Sequence, residues 1–340
     1  QTSMVRRLIR MRALEKARLF GKYYMVAVDA TWVLQFGDEH CKHCLRMKTG
    51  EDKAGNPVFV YYHPVLEAKL ITPNGLSLSI ATEFIENIDI NEDDSLERQK
   101  QDCELKAFYR LAPKIKEAFP QLSVCLLLDG LYAGKPVFDI CKNNNWKYII
   151  TFKEGSMPAT YREFETLKRL APGDSARSKR NDGSVQEYSW VNQIDYEDHR
   201  LNVLECKEII DAKKTCFVWL TNFMIGASKN YEEIAKGGRC RWKIENEGFN
   251  MQKNGGYELE HAYSLNNTAV KNFYFLLQIA HTLNQLMEKG SLLKEKLSKA
   301  FGSIKNFTAA LYRAFMSQVF RFSSELLCRR IQIRFSLDSC

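Results

Sequence analysis

Apolar runs bounded by turn-formers fill the first half of the chain, and helical spacing takes over in its last third. Residues 3 to 20 interleave Val5, Leu8, Ile9, Met11 and Leu14 with arginines, which predicts a basic amphipathic helix. An apolar run then predicts a strand at 23 to 34. Gly37 to Pro57 carries turn-formers and charges and reads as a loop, followed by a long strand from Val58 to Ile71. Thr72-Pro73-Asn74-Gly75 is a hairpin turn by composition, so Leu76 to Ile85 is its return strand.

After an acidic linker at Asn87 to Asp94, Leu96, Cys103, Ala107, Leu111 and Ile115 recur at spacings of seven and four, one face of a helix that Pro120 stops. A strand at 123 to 129, a helix at 134 to 145 and a strand at Tyr148 to Phe152 come next. The order β-β-β, α, β, α, β is that of an RNase H-like α/β domain, in which the first and fourth strands lie side by side. Residues 154 to 215 change to alternating pieces (Val185 to Trp190, Arg200 to Cys206) around polar turns such as Arg180-Asn181-Asp182-Gly183, as a β-rich insertion would. Phe217 to Thr221 is a further strand. A helix starts near Asn230, is expected to break or kink at Gly237-Gly238, and resumes through Glu245 to about Asn254. The expected organisation is a basic helical segment at 1–22, a first catalytic-domain part at 23–153, the insertion at 154–215, the remaining catalytic part at 216–268, and C-terminal helices at 269–340.

Composition narrows this picture only modestly. A hydrophobic content of 45% with 26% charged residues is that of a folded protein. No stretch approaches the uncharged apolar length of a membrane span, and the basic N-terminus lacks an apolar signal core. The expectation is therefore a cytoplasmic, nucleoid-associated protein with no membrane partner. A net charge of +8 fits a polyanion, and the clustering says more: Arg6, Arg7, Arg10 and Arg12 crowd the N-terminus, while Arg239, Arg241 and Lys243 flank Glu245. The ten cysteines read as reduced thiols, most of them (Cys125, Cys141, Cys216) alone in apolar runs. His40-Cys41-Lys42-His43-Cys44 differs. Cys41 and Cys44 are candidate zinc ligands, with Cys103 or His63 available to extend the set, and a loop with reduced thiols is the alternative.

Three acids stand out by position. Asp29 ends Met25-Val26-Ala27-Val28, Asp129 ends Val124-Cys125-Leu126-Leu127-Leu128, and Glu245 lies in Arg241-Trp242-Lys243-Ile244-Glu245-Asn246-Glu247. Singly, a strand-end aspartate commonly caps a turn and a helical glutamate faces solvent. Together they can converge on two divalent metals, the arrangement that cuts or joins phosphodiesters.

Val28-Asp29-Ala30-Thr31, Leu128-Asp129-Gly130-Leu131 and the segment Arg241 to Asn250 resemble the DDE transposases of bacterial insertion sequences, closest to the group with a β insertion before the glutamate. Gly255-Gly256-Tyr257-Glu258-Leu259-Glu260-His261 is similar to the segment just after that glutamate in the group, and the likeness runs from about Lys16 to Gln285. It implies catalytic and metal-binding roles for Asp29, Asp129 and Glu245, which would hold two Mg²⁺ ions (Mn²⁺ as substitute). It also implies terminal-repeat and target DNA as partners, and a homodimer in the DNA complex. Arg241, one turn before Glu245, would hold a phosphate, with Arg239, Lys243 and Lys253 as further DNA contacts. Two signature positions depart from the family: its tyrosine is Gly238 here, and its lysine is Gln252, with Lys253 next. Glu247 reads as structural, Trp242 as packing, and Asp102 and Glu104 as surface charges. Trp190 and Trp219 read as core residues or as stacking platforms for a flipped base, and His261 as a turn histidine or a neighbour of the site. The alternatives are a truncated or non-catalytic DNA-binding derivative and a two-metal DNA nuclease. Only 28 residues precede Asp29 and the chain begins at Gln1, which leads us to expect an end-recognition domain upstream of it.

Overall fold

The computed structural model describes residues 2–36, 41–87, 101–171, 173–179, 183–210, 213–261, 264, 266–289 and 299–317. Among the described residues, ten strands form one mixed sheet: β1 (Tyr24–Phe36), β2 (Leu45–Glu51), β3 (Pro57–Ile71), β4 (Ser77–Phe84), β5 (Val124–Leu128), β6 (Lys147–Thr151), β7 (Ser175–Lys179), β8 (Val185–Tyr196), β9 (His199–Ile210) and β10 (Lys213–Thr221). Their lateral order is β2-β3-β1-β5-β6-β10-β9-β8-β7, with β4 paired to the second half of β3. β1 runs parallel to β5 and β5 parallel to β6, whereas β3 is antiparallel to both β1 and β4. Among the described residues the α-helices are α1 (Thr2–Arg10), α2 (Glu104–Ala118), α3 (Lys135–Asn143), α4 (Pro158–Leu170), α5 (Tyr231–Cys240), α6 (Asn250–Asn254), α7 (Asn267–Lys289) and α8 (Ile304–Ser317).

Strand side chains alternate between the two faces, and the apolar runs supply both. Val26, Val28, Leu66, Leu126 and Leu128 pack under α2 and α3, with Phe108, Leu111 and Phe138. Met25, Ala27, Cys125, Leu127 and Ile149 face the other way, toward Ile234, Ile244 and Phe249. Each such fully buried aliphatic side chain contributes roughly 2 kcal/mol. The Thr72–Gly75 turn closes as its composition requires: Gly75 sits at φ +88°, its N–H donates to Thr72 O at 2.9 Å, and Leu76 N–H donates to the Thr72 hydroxyl at 2.9 Å.

Four local expectations are corrected. The N-terminal helix stops at Arg10, because Arg12 turns to φ +58° and the chain doubles back so that Leu14 and Leu19 reach the core. The segment read as a loop contains β2, an edge strand whose Arg46, Met47 and Lys48 stay outside the core and so give no apolar signal. The β-rich stretch starts with α4, which buries only Thr160 and Phe164. Finally, α5 runs unbroken through Gly237-Gly238; a Cβ at Gly238 would lie 2.3 Å from the Trp219 indole nitrogen, so these glycines serve close packing. Leu96, most of the acidic linker, and Arg180 to Asp182 lie outside the described residues. Within the described residues no helix is long and apolar enough to cross a membrane.

Candidate active site

The parallel ladder between β1 and β5 ends with Ala27 opposite Leu127. Two residues further along each segment comes an aspartate, Asp29 within β1 and Asp129 just beyond β5. Adjacent strands lie about 4.8 Å apart, so the two carboxylates start from neighbouring positions where the β1–β5 pairing ends. Asp29 Oδ1 accepts from the N–H of Ala30 at 3.0 Å. Asp129 Oδ1 accepts from the N–H of Leu131 at 2.8 Å and starts a 3₁₀ turn at Gly130–Tyr132. Gly130 is required there, since a Cβ would meet Ser156 Oγ at 2.6 Å and Thr151 O at 3.3 Å.

Glu245 comes from the opposite layer, on a π-helical stretch at Ile244–Phe249 between α5 and α6. Such a widened turn re-aims side chains and often marks a functional site. Arg241 is buried and bridges two of the three acids, with Nη1 3.3 Å from Asp29 Oδ2 and Nη2 3.0 Å from Glu245 Oε1. Glu245 also adjoins the Asp29 carboxyl. Burial pushes the Asp29 pKa up to about 7; Arg241 opposes this, and the Glu245 and Glu104 charges add to it.

Glu104 belongs to this cluster and not to the outer surface. It opens α2 at the same sheet edge, accepts from the Tyr132 hydroxyl at 2.6 Å, and its pKa is raised by burial and by the Asp129 charge. Asp102 is likewise engaged, 2.6 Å from Arg110 Nη2. The helical spacing of Ala107, Leu111 and Ile115 identifies the inward face of α2 but says nothing of what its first turn meets.

Among the described residues, the groups of three ligand-type side chains that gather all their donor atoms within 4.8 Å are Cys41–Cys44–His63 and Asp139–Asp198–His199. Asp29, Asp129 and Glu245 are more open than that, as a set spread over two ions would be. Their chemistry fits a hard divalent cation: every donor is oxygen, several carboxylates gather around one guanidinium, and burial still holds the Asp29 pKa up at about 7 against the charge of Arg241.

This arrangement makes stability depend on pH. The folded-state pKa of Asp29 lies above its unfolded value, so without metal its contribution to stability is full below about pH 4 and lost as pH rises through about 7. A divalent cation binds the ionised form. Added Mg²⁺ is therefore expected to raise the melting temperature at pH 8 and to do little at pH 5, as monitored by scanning fluorimetry; Asp29→Asn should remove that pH dependence.

The other expected site residues divide between the cleft, the core and the surface. Arg239 lies over the Phe217 ring, 4.5 Å from its centroid, and pairs with Glu208 at 2.9 Å. Lys243 pairs with Glu247 at 2.8 Å and Lys253 with Glu260 at 2.6 Å. Arg239 and Lys243 also line a cleft of ≈ 700 Å³, together with Lys16, Arg18, Lys236 and Gln186; it lies beside Met25 and Pro73, and none of the three acids lines it. Trp190, stacked on Tyr231, and Trp219, stacked on Phe217, are core residues. Trp242 reverses its expectation: it is 53% exposed, with the Arg241 guanidinium over its ring at 5.0 Å. His261 sits in a turn, its N–H donating to Glu258 O at 3.0 Å. Cys41 and Cys44 converge with His63, whereas Cys103 is exposed at the start of α2.

No family model matches the chain, and no curated protein matches its sequence. Among solved structures it is similar to the piggyBac transposase in a cryo-EM synaptic complex with hairpin DNA, with a TM-score of 0.31 and 12% identity. The alignment covers 83% of this chain and 57% of that one.

Proposed function

We propose that this chain is a DDE transposase that cleaves and joins DNA strands at the ends of an insertion sequence, on an RNase H-like core carrying a β-rich insertion. The observation that carries the reading is the joining of Asp29 and Glu245 through Arg241, beside the point where the parallel pairing of β1 and β5 ends, with Asp29 within β1 and Asp129 directly after β5. The motif resemblance and the strand order β4-β3-β1-β5-β6 support the same reading.

Asp29, Asp129 and Glu245 would hold two Mg²⁺ ions, whose chemistry when bound would be activation of an attacking oxygen and charge stabilisation at the departing one. Glu104 adds negative charge beside Asp129 and orients Tyr132 through the 2.6 Å hydrogen bond. Arg241 holds Asp29 and Glu245 together, and its planar fork suits a phosphate oxygen brought alongside. Arg239 and Lys243, exchanging Glu208 and Glu247 for phosphates, would orient DNA along the basic cleft. The division into 23–153 and 216–268 around the insertion, and a dimer on paired ends, belong to this proposal.

Exposed Trp242 offers a face on which a base can stack. Trp242→Ala is expected to weaken single-stranded DNA binding on the order of tenfold, measured by fluorescence anisotropy, with the melting temperature unchanged.

The proposal is tested by incubating the protein with end-labelled DNA carrying the element's terminal repeats and Mg²⁺ or Mn²⁺. Cutting at the repeat boundary, and then joining to a second DNA, is expected. Binding without metal-dependent cutting would mark a non-catalytic derivative, and cutting without joining a nuclease.

A further inference from the structure

We propose that Cys41, Cys44 and His63 bind a zinc ion at the entrance to the β2–β3 ribbon, a second metal centre separate from the acidic one. The Sγ atoms of Cys41 and Cys44 are 3.5 Å apart, and each lies 3.2 Å from His63 Nε2. Ligands bound to one tetrahedral zinc at about 2.3 Å for sulfur and 2.0 Å for nitrogen sit roughly 3.5 to 3.8 Å from one another, so these three atoms already stand close to a ligand triangle. The sulfurs are too far apart for a disulfide, whose bond is about 2.0 Å. The backbone sets the triangle up. Cys44 N–H donates to Cys41 O at 3.2 Å, folding the Cys-X-X-Cys turn so that both thiols face one point. His63 is fixed on β3 opposite Leu34, its ring against the edge of Phe36.

The centre lies away from the acids. His63 is four residues along β3 from Glu67, the partner of Asp29 across the β1–β3 ladder, or roughly 13 Å at strand rise. Its consequence is mechanical. Asn87 clamps the knuckle, donating from its N–H to His43 O at 3.2 Å and from Nδ2 to Cys44 O at 2.9 Å. Asp102 N–H in turn donates to Asn87 Oδ1 at 3.3 Å, and Gln101 brackets Arg46 with bonds of 2.6 and 3.0 Å. Metal at the knuckle therefore steadies the start of α2, where Glu104 enters the acidic cluster. Binding requires both thiols as thiolates and the imidazole neutral, so each zinc releases up to two protons, and water fills the fourth position.

Zinc-supplemented protein, dialysed and analysed by mass spectrometry for metal, should retain about one zinc per chain at this site. Cobalt in its place should give the thiolate charge-transfer band and the visible bands of a tetrahedral ion. Cys41→Ser with Cys44→Ser should abolish both signals, while His63→Cys should keep the ion and strengthen the charge-transfer band. Cys103→Ser and Asp29→Ala should leave zinc unchanged, so a failure of the transposase reading does not touch this one. Because Cys44 is buried, titrating wild-type protein with a chromogenic chelator serves as the folding-independent check: release of zinc should expose Cys41 and Cys44 to alkylation. Folded wild-type protein with no zinc and no cobalt charge-transfer band would overturn the proposal. Zinc that persists in the double serine variant would do the same.

Discussion

Asp29→Ala is expected to reduce Mg²⁺-dependent strand cleavage on the order of 10³-fold or more, while DNA affinity changes little. Metal-assisted stabilisation of the reacting oxygens contributes several kcal/mol, and each 1.36 kcal/mol is a factor of ten in rate. Asp29 is surrounded at the proposed centre by Asp129 just after the adjoining strand, Glu245 through their shared partner Arg241, and Arg241 itself at 3.3 Å. Asp129→Ala and Glu245→Ala should each cost a similar factor, and combining them should add little, because groups that act as one unit fail as one. Affinity rests instead on phosphate contacts spread over the basic cleft, so it should survive and should weaken with salt. Gel-resolved cleavage alongside anisotropy checks both halves. Cleavage near the wild-type rate in Asp29→Ala would remove the residue from the chemistry.

Lys69→Met is expected to lower the unfolding free energy by roughly 3 kcal/mol, the cost of leaving a buried charge without its counter-charge. Lys69 and Glu67 are fully buried on β3, two residues apart and opposite Ala27 and Asp29, on the face they share with Asp29. Burial pushes the lysine pKa down to about 8 and the Glu67 pKa up, and each charge offsets the other's shift. Hydrogen bonds complete the arrangement: Lys69 Nζ donates to Gln278 Oε1 at 2.9 Å, Ser79 Oγ to Glu67 at 2.5 Å, and Thr82 Oγ1 to the second Glu67 oxygen. With Lys69 gone, Glu67 stays desolvated. Glu67→Gln combined with Lys69→Met should therefore recover most of the loss, which urea unfolding of the three variants would show. A double variant no more stable than Lys69→Met alone would mean that the charges do not support one another.

The same network explains a departure that sequence comparison could only note. Gln252 occupies the position where the resembled family carries a lysine, and it is completely buried. Its Nε2 lies 2.8 Å from Gln278 Oε1 and from His281 Nδ1. It is part of the packing between α6 and α7. Gly238 has an equally local reason, for the Trp219 indole fills the space a larger side chain would need. Neither reason is visible along the chain, because both partners are remote in sequence.

Legibility came from runs long enough to fix strands. Val124 to Leu128 is buried on both faces and carries Asp129 to the end of β5, beside Asp29 of β1, so the nearness of those two acids could be read from apolar pattern alone. Glu104 and Trp242 could not. A glutamate in the first turn of a helix ordinarily serves its N-terminus, and only the tertiary position of α2 brings this one to Tyr132 and Asp129. Trp242 reads as core by residue type, yet its neighbours Arg241 and Ile244 take the inward positions and leave it in solvent. The β2 strand and α4 escaped for a related reason: both carry mostly exposed side chains and bury too little to impose a period.

The central claim, that Asp29, Asp129 and Glu245 share one divalent-metal centre, is tested most directly by locating the metal. In zinc-loaded protein, Fe²⁺ in place of Mg²⁺, with ascorbate and peroxide, generates radicals that cut the backbone beside the bound ion, and mass spectrometry reads the cut positions. Cuts are expected close to residues 29, 129 and 245, suppressed by excess Mg²⁺ and absent in Asp29→Ala. Cuts confined to the Asp139–Asp198–His199 cluster, or cuts at the three acids that Mg²⁺ does not suppress, would contradict it.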